Sequence, residues 1–149
     1  LRSGGSPPSV TALAWLPTGA HLLAGRGCHK AQLWDAGTGK IIRSLEAMAP
    51  VAYVTIAGNG NTLVAGNSDG TVRFWDVESG ELRGVILNCV DHIVQVSFDG
   101  QYRVDPDKQP DLVYVALTPE GQVMLAPDEF ATKFRARNNP TRVKLVPGR

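Results

Sequence analysis

The 149-residue sequence predicts an all-β fold made by repeating one four-stranded unit, and two observations carry that prediction. The first is recurrence. A Trp-Asp pair stands at Trp34-Asp35 and again at Trp75-Asp76, and Val10, Gly19, Leu22, Ala24, Gly25 and Gly39 return 41 residues later as Val51, Gly60, Leu63, Ala65, Gly66 and Gly80. A fixed period of about 40–45 residues carrying that dipeptide signals a radial repeat in which each unit is one blade. The second is the length of the segments. Short alternating runs are separated by glycine turns, and no stretch between them could hold a crossover helix, so the strands form an antiparallel meander.

The elements follow in order. Val10–Trp15 reads as a strand, Pro17-Thr18-Gly19 as a turn, and His21–Gly25, Lys30–Asp35 and Lys40–Leu45 as the remaining three strands of the first unit. In the second unit Val51–Ile56, Thr62–Gly66, Thr71–Asp76 and Glu81–Ile86 are strands, joined by Gly58-Asn59-Gly60, Asn67-Ser68-Asp69-Gly70 and Ser79-Gly80. A third unit opens at Ile93–Phe98 and then departs from the pattern. Tyr102–Val104 begins its second strand, Asp105–Asp111 is a polar loop, and Leu112–Leu117 and Gln122–Leu125 are strands around Thr118–Gly121. Terminal repeats are commonly atypical. Ala126-Pro127-Asp128-Glu129 then starts a short helix, with Pro in the first turn and two acids beside the positive end of the dipole. The organisation expected is a lead over 1–9, units at 10–45, 46–86 and 87–125, and a helix and basic tail over 126–149.

Ser68-Asp69-Gly70-Thr71-Val72-Arg73-Phe74-Trp75-Asp76 resembles the third-strand signature of WD-repeat β-propellers. Residues 10–86 resemble two consecutive repeats of that family and 91–125 a degenerate third. The stretch Tyr102–Leu145 is similar to the closing segment of large bacterial WD-repeat proteins. The resemblance implies a partial propeller of about three blades whose structural signature residues are Trp34, Asp35, Asp69, Gly70, Trp75 and Asp76. It departs from the family pattern in two places: no His precedes the second repeat, and Cys28 stands where the first repeat's turn would carry Asp. The buried network of the strict motif is therefore incomplete, which leaves more to apolar packing.

Composition narrows the function further. Hydrophobic residues make up 43% and charged residues 19%, and no apolar run reaches the roughly 18 residues that cross a bilayer. The N-terminal residues carry no secretory hydrophobic core, and a start at Leu rather than Met implies a longer parent chain. Fifteen basic and fourteen acidic residues leave a net charge of +1, which sets up no general field for nucleic acid or anionic lipid. Two cysteines 61 residues apart, without a CxxC spacing, fit free thiols in a reducing, cytoplasmic setting.

Candidate chemistry is sparse. Cys28-His29 lacks the third group that orients a base and the four ligands that zinc requires. Asp99, Asp105, Asp107 and Asp111 lack the Gly and terminal Glu of a calcium loop. No catalytic, cofactor or metal residues are assigned. From Lys133 on, six residues are basic and none acidic, but the aromatics stop at Phe134, so base stacking is unsupported.

The resemblance thus implies a non-catalytic protein-interaction scaffold with a protein partner. The turns Pro17–Gly19, Arg26–Lys30, Asn59–Asn61 and Asn67–Gly70 are candidate contact sites. The alternative is a regulatory or sensing segment of a larger signalling kinase or protease. Trp34 and Trp75 are expected between blades and Trp15 in the core. Leu13, Trp15, Leu22 and Leu33 are expected to face a missing upstream unit and drive self-association through the open edge. The helix bearing Phe130 and Phe134 is expected to cap the other end.

Overall fold

The computed structural model describes residues 9–57, 60–105, 107, 114–118, 121–135 and 137–146. Outside them lie the lead before Ser9, the expected turn residues Gly58 and Asn59, most of the polar loop through Asp111, and Pro119-Glu120. Two compact units divide the chain. The first holds residues up to Val85 together with those from Leu145, and the second is Ile86–Lys144.

The first unit contains the two clear repeats. Its N-terminal sheet is β1 (Val10–Trp15), β2 (His21–Arg26), β3 (Lys30–Asp35) and β4 (Ile41–Glu46), hydrogen-bonded in chain order. Its second sheet runs β5 (Val51–Ala57), β6 (Thr62–Asn67), β7 (Thr71–Asp76) and the start of β8 (Leu82–Asn88), again in chain order. Even the irregularities repeat. The β1–β2 register slips between Val10 and Ala12, and the β5–β6 register slips between Val51 and Tyr53, 41 residues on. Such bulges twist and bend a strand locally. Gly19, Gly39, Gly60 and Gly80 all hold positive φ, between 66° and 93°, in the turns where the recurrence places them.

Period-two alternation gives each sheet two faces, and the two sheets share one core. Leu23, Ala31, Leu33 and Leu45 of the first sheet pack with Val51, Leu63, Ala65 and Trp75 of the second, all under 5% exposed. At Gly25 the approach is too close for a side chain: a Cβ there would lie 2.7 Å from Val51 Cγ1 and 3.1 Å from Val54 Cγ1.

Two expectations are corrected here. Leu33 does not belong with Leu13, Trp15 and Leu22. It stands opposite Leu23 across β2–β3 and is 3% exposed in the shared core, because it lies one residue out of step with Trp34. Trp15 is not core. It is 59% exposed, since its face of β1 has no sheet upon it among the described residues.

In the second unit β9 (Ile93–Ser97) pairs antiparallel with β10 (Tyr102–Arg103), Tyr102 opposite Val96. Val94, Tyr102 and Val104 form a small core. Tyr102 also exchanges backbone bonds with the C-terminal segment, donating to the Arg137 carbonyl and accepting from the Asn139 N–H. β11 (Tyr114–Thr118) and β12 (Gly121–Leu125) make a hairpin. The expected helix is α1 (Pro127–Phe134): Glu129 accepts the Ala126 N–H at 2.9 Å, and Arg135 ends the helix at φ 56°. Phe130 is half-buried, and the side chain of Phe134 lies outside the described set. No described helix is long and apolar enough to cross a membrane.

Candidate interaction surface

The signature aspartates close turns, and Asp69 is linked through the Thr71 hydroxyl to the buried Asn67. Asp35 Oδ1 accepts from the Thr38 N–H at 2.6 Å and the Thr38 hydroxyl at 2.7 Å. Asp76, its counterpart, accepts from the Ser79 N–H at 2.8 Å and forms an ion pair with Arg83. Asp69 accepts from the Thr71 N–H at 3.0 Å and the Thr71 hydroxyl at 2.8 Å, while Gly70 takes φ 82° to shape that turn. Each carboxyl sits below its usual value of 3.8. The Thr38 hydroxyl is the chief cause at Asp35, the Thr71 N–H at Asp69 and the Ser79 N–H at Asp76. In the first repeat Cys28 replaces the turn aspartate, and the neighbouring His29 adopts φ 63°. Both cysteines are free, Cys28 exposed and Cys89 half-buried.

A set of polar contacts that the sequence did not reveal joins the two repeats. Arg43, on β4, reaches the turn after β7 and donates to the carbonyls of Ser79 and Glu78, each at 2.7 Å. The berth depends on Gly80, because a Cβ there would overlap the Arg43 side chain. Thr11 Oγ1 donates to the Val51 carbonyl at 2.6 Å, and Arg73 Nε on β7 donates to the Ala47 carbonyl, in the link between the sheets, at 2.9 Å. These bonds fix the register of one sheet on the other, which apolar contact alone leaves slack. The faint sequence signal for the berth was the recurrence of Gly39 as Gly80.

The signature tryptophans differ in their surroundings. Trp75 is 3% exposed beneath the first sheet, as expected. Trp34 is half-buried on the opposite side of that sheet, and its Nε1 has no acceptor. Trp15, Leu22 and Trp34 stand abreast on β1, β2 and β3. With Leu13 and Val10 they line an apolar hollow of about 320 Å³. Val10, Leu13 and Trp15 are each more than half exposed. A second, more polar groove of about 590 Å³ lies at the turn end of the two sheets, lined by Leu16, Thr18, His21, Asn61, Asp76 and Glu78 among others. It includes two of the turns expected to meet partners, Thr18 of one and Asn61 of the other; Asn59 lies outside the described residues.

The family model for the WD domain, G-beta repeat, matches residues 3–35 and 39–76, each match ending on a Trp-Asp pair. Residues 3–35 and 39–76 are thus two repeats of the WD-repeat family. Among curated relatives, Cell division cycle 20.1, cofactor of APC complex, from Arabidopsis thaliana is 31% identical over 68 residues, 46% of this chain and 15% of the relative. WD repeat-containing protein pop1 from Schizosaccharomyces pombe is 43% identical over 53 residues, 36% of this chain and 7% of the relative. The WD-repeat chain therefore spans only a small part of either. Among solved structures, the RRP9 WD40 repeats superpose with a TM-score of 0.53 at 15% identity, covering 67% of this chain and 36% of that one. That likeness shows the fold, an all-β partial WD-repeat propeller.

Proposed function

We propose that this WD-repeat segment is a non-catalytic protein-interaction scaffold that presents its partner site on the turn end of the blades. The observation that carries the proposal is the groove bounded by Thr18, His21, Asn61 and Glu78, which spans the turns of both repeats. Its walls are held in place, since Arg43 ties the first sheet to the turn at Glu78 and Ser79. Loops set by a rigid frame are where binding residues concentrate, and pre-organised loops lose less entropy on binding. WD40 domains generally mediate protein–protein contacts, and the Arabidopsis relative is described as the cofactor of a complex, which supports a role within an assembly.

The test is capture by the immobilised 149-residue chain, compared with Thr18→Arg and Glu78→Arg variants that retain the native circular dichroism. A discrete set of proteins lost with both variants supports the proposal. Capture unchanged by both variants would sink the groove assignment.

A further inference from the structure

The hairpin between β8 and β9 closes on a turn in which the Cys89 N–H donates to the His92 carbonyl at 2.9 Å. The first and fourth residues of such a turn lie within about 7 Å of each other, and opposed residues of an antiparallel pair share one face. Cys89 and His92 are therefore neighbours on the face that carries Val94 and Val96. Cys89 packs there on the small core of Val94, Tyr102 and Val104. On the other side the two side chains line a hollow of about 510 Å³ together with Asn88, Val90, Asp91 and Asp105.

His92 is held in one tautomer. Its Nδ1 lies 2.6 Å from Asp91 Oδ1, and an ionised carboxylate can only accept, so the ring proton sits on Nδ1. The lone pair of Nε2 is then bare. Nε2 is buried and has no partner among the described residues, while the side chain as a whole is 13% exposed. A buried acceptor left empty is costly, and here it leaves a nitrogen ready to take a proton. Cys89 is the only nucleophile in the lining of the hollow. Nucleophile, base and the acid that orients the base are thus gathered on one turn.

We infer that Cys89 is a modification site, a thiol oxidised by small neutral hydroperoxides with His92 as its base and Asp91 as the positioning residue. The thiol proton passes to Nε2 as sulfur attacks one peroxide oxygen. The S–O bond forms, the O–O bond breaks, and the departing hydroxide takes the proton from Nε2 and leaves as water. Sulfur is oxidised by two electrons to the sulfenic acid, and the peroxide is reduced. The lining selects the oxidant. Asp91 and Asp105 stand in it without any Lys or Arg, so an anionic disulfide is repelled. Cys28 lacks this arrangement: it is exposed, and the adjacent His29 has no carboxylate on its ring among the described residues. Exposure alone ranks Cys28 as the faster thiol, and the Asp91–His92 pair reverses that order. The site is independent of the turn-end groove, so either can fail alone.

The experiment exposes the 149-residue chain to hydrogen peroxide at about pH 7 and traps sulfenic acid with a cyclic diketone label. Peptide mass spectrometry then reads Cys28 and Cys89 separately, so Cys28 is the internal standard. Cys89 should label about tenfold faster than Cys28 or more. His92→Gln should cut the Cys89 rate about tenfold or more and leave Cys28 unchanged. Asp91→Asn should cut it severalfold, because the ring is no longer held with Nε2 bare. Asp91 is 55% exposed, so that variant carries the test even if His92→Gln disturbs the turn. At about pH 10 an ordinary thiol is ionised without a base. The deficit of each variant that keeps the native circular dichroism should vanish there, whereas a defect of access would persist. Labelling of Cys28 as fast as Cys89 overturns the inference, as does a rate indifferent to Asp91 or a deficit that survives at high pH. Oxidised glutathione, an anionic disulfide, should react with Cys28 first. Faster capture at Cys89 would show that the lining does not select a neutral oxidant, which also overturns the inference.

Discussion

The two signature tryptophans occupy one position in two copies of a repeat, so replacing each by Ala measures what covers it. Trp75 is 3% exposed and touches the residues of the opposing sheet. A buried Trp removes about 200 Å² from water, worth about 5 kcal/mol at 25 cal/mol per Å². Truncations of this kind cost about 3–5 kcal/mol once the site relaxes. Trp15, 59% exposed on the uncovered face, keeps about two-fifths of that burial, which caps its contribution at about 2 kcal/mol. Trp34, half-buried on the same face, should fall between them. The assay is urea unfolding of dilute protein followed by far-UV circular dichroism, which survives the loss of a fluorophore. The expected order of lost stability is Trp75→Ala, then Trp34→Ala, then Trp15→Ala. Equal losses for Trp34→Ala and Trp75→Ala would refute the reasoning, because they would mean that the first repeat's face is covered as fully as the second's.

Other consequences can be checked in the same way. Asp69→Ala should cost about 0.5–1 kcal/mol, well under Trp75→Ala, since the bonds it gives up to Thr71 are exposed; equal shifts in urea midpoint would contradict this. Gly25→Ala should destabilise by about 1–3 kcal/mol, because its Cβ would meet Val51 Cγ1 at 2.7 Å, and calorimetry should show a lowered Tm. Acid should weaken the fold. Asp35, Asp69, Asp76 and Asp99 all have folded values below the ordinary 3.8, so the folded chain binds fewer protons than the unfolded one around that pH. Their contribution is complete above about pH 5 and is lost as pH falls through the folded values. The urea midpoint should therefore drop between pH 5 and pH 3, with a shallower drop in Asp76→Asn. The isolated chain should self-associate weakly at high concentration through the Leu13 and Trp15 face, and Leu13→Asp should suppress the light-scattering signal.

The strands of the first 88 residues were legible because the 41-residue recurrence fixes register twice over: a turn misread in one copy is corrected by the other. Strand ends were less legible in both halves: Glu81–Ile86 is observed as Leu82–Asn88 and Ile93–Phe98 as Ile93–Ser97. Alternation along β1 showed which residues share a face with Trp15 but not whether anything covers that face, so Trp15 was misplaced. Leu33 was a plainer failure of parity. It neighbours Trp34, so the two must point to opposite sides of the sheet. For the Arg43 clasp the sequence held only the recurrence of Gly39 as Gly80. The clasp joins a strand to a turn 36 residues away, and only the folded geometry shows that Gly80 makes space for a guanidinium.

The same recurrence explains why the partner is the hardest feature to read. A repeat that stacks on its own kind must carry both halves of an interface, so most of its apolar pattern encodes stacking and little encodes anything else. Information about an outside partner must then lie where the copies differ. On the buried face, Val54 and Ile56 replace Leu13 and Trp15, so the first repeat offers bulkier groups than the internal interface accommodates. An interior packed to native density cannot absorb a Trp in place of an Ile without smaller residues opposite it. Whatever covers this face must therefore offer smaller groups opposite Trp15 than the first sheet offers Ile56.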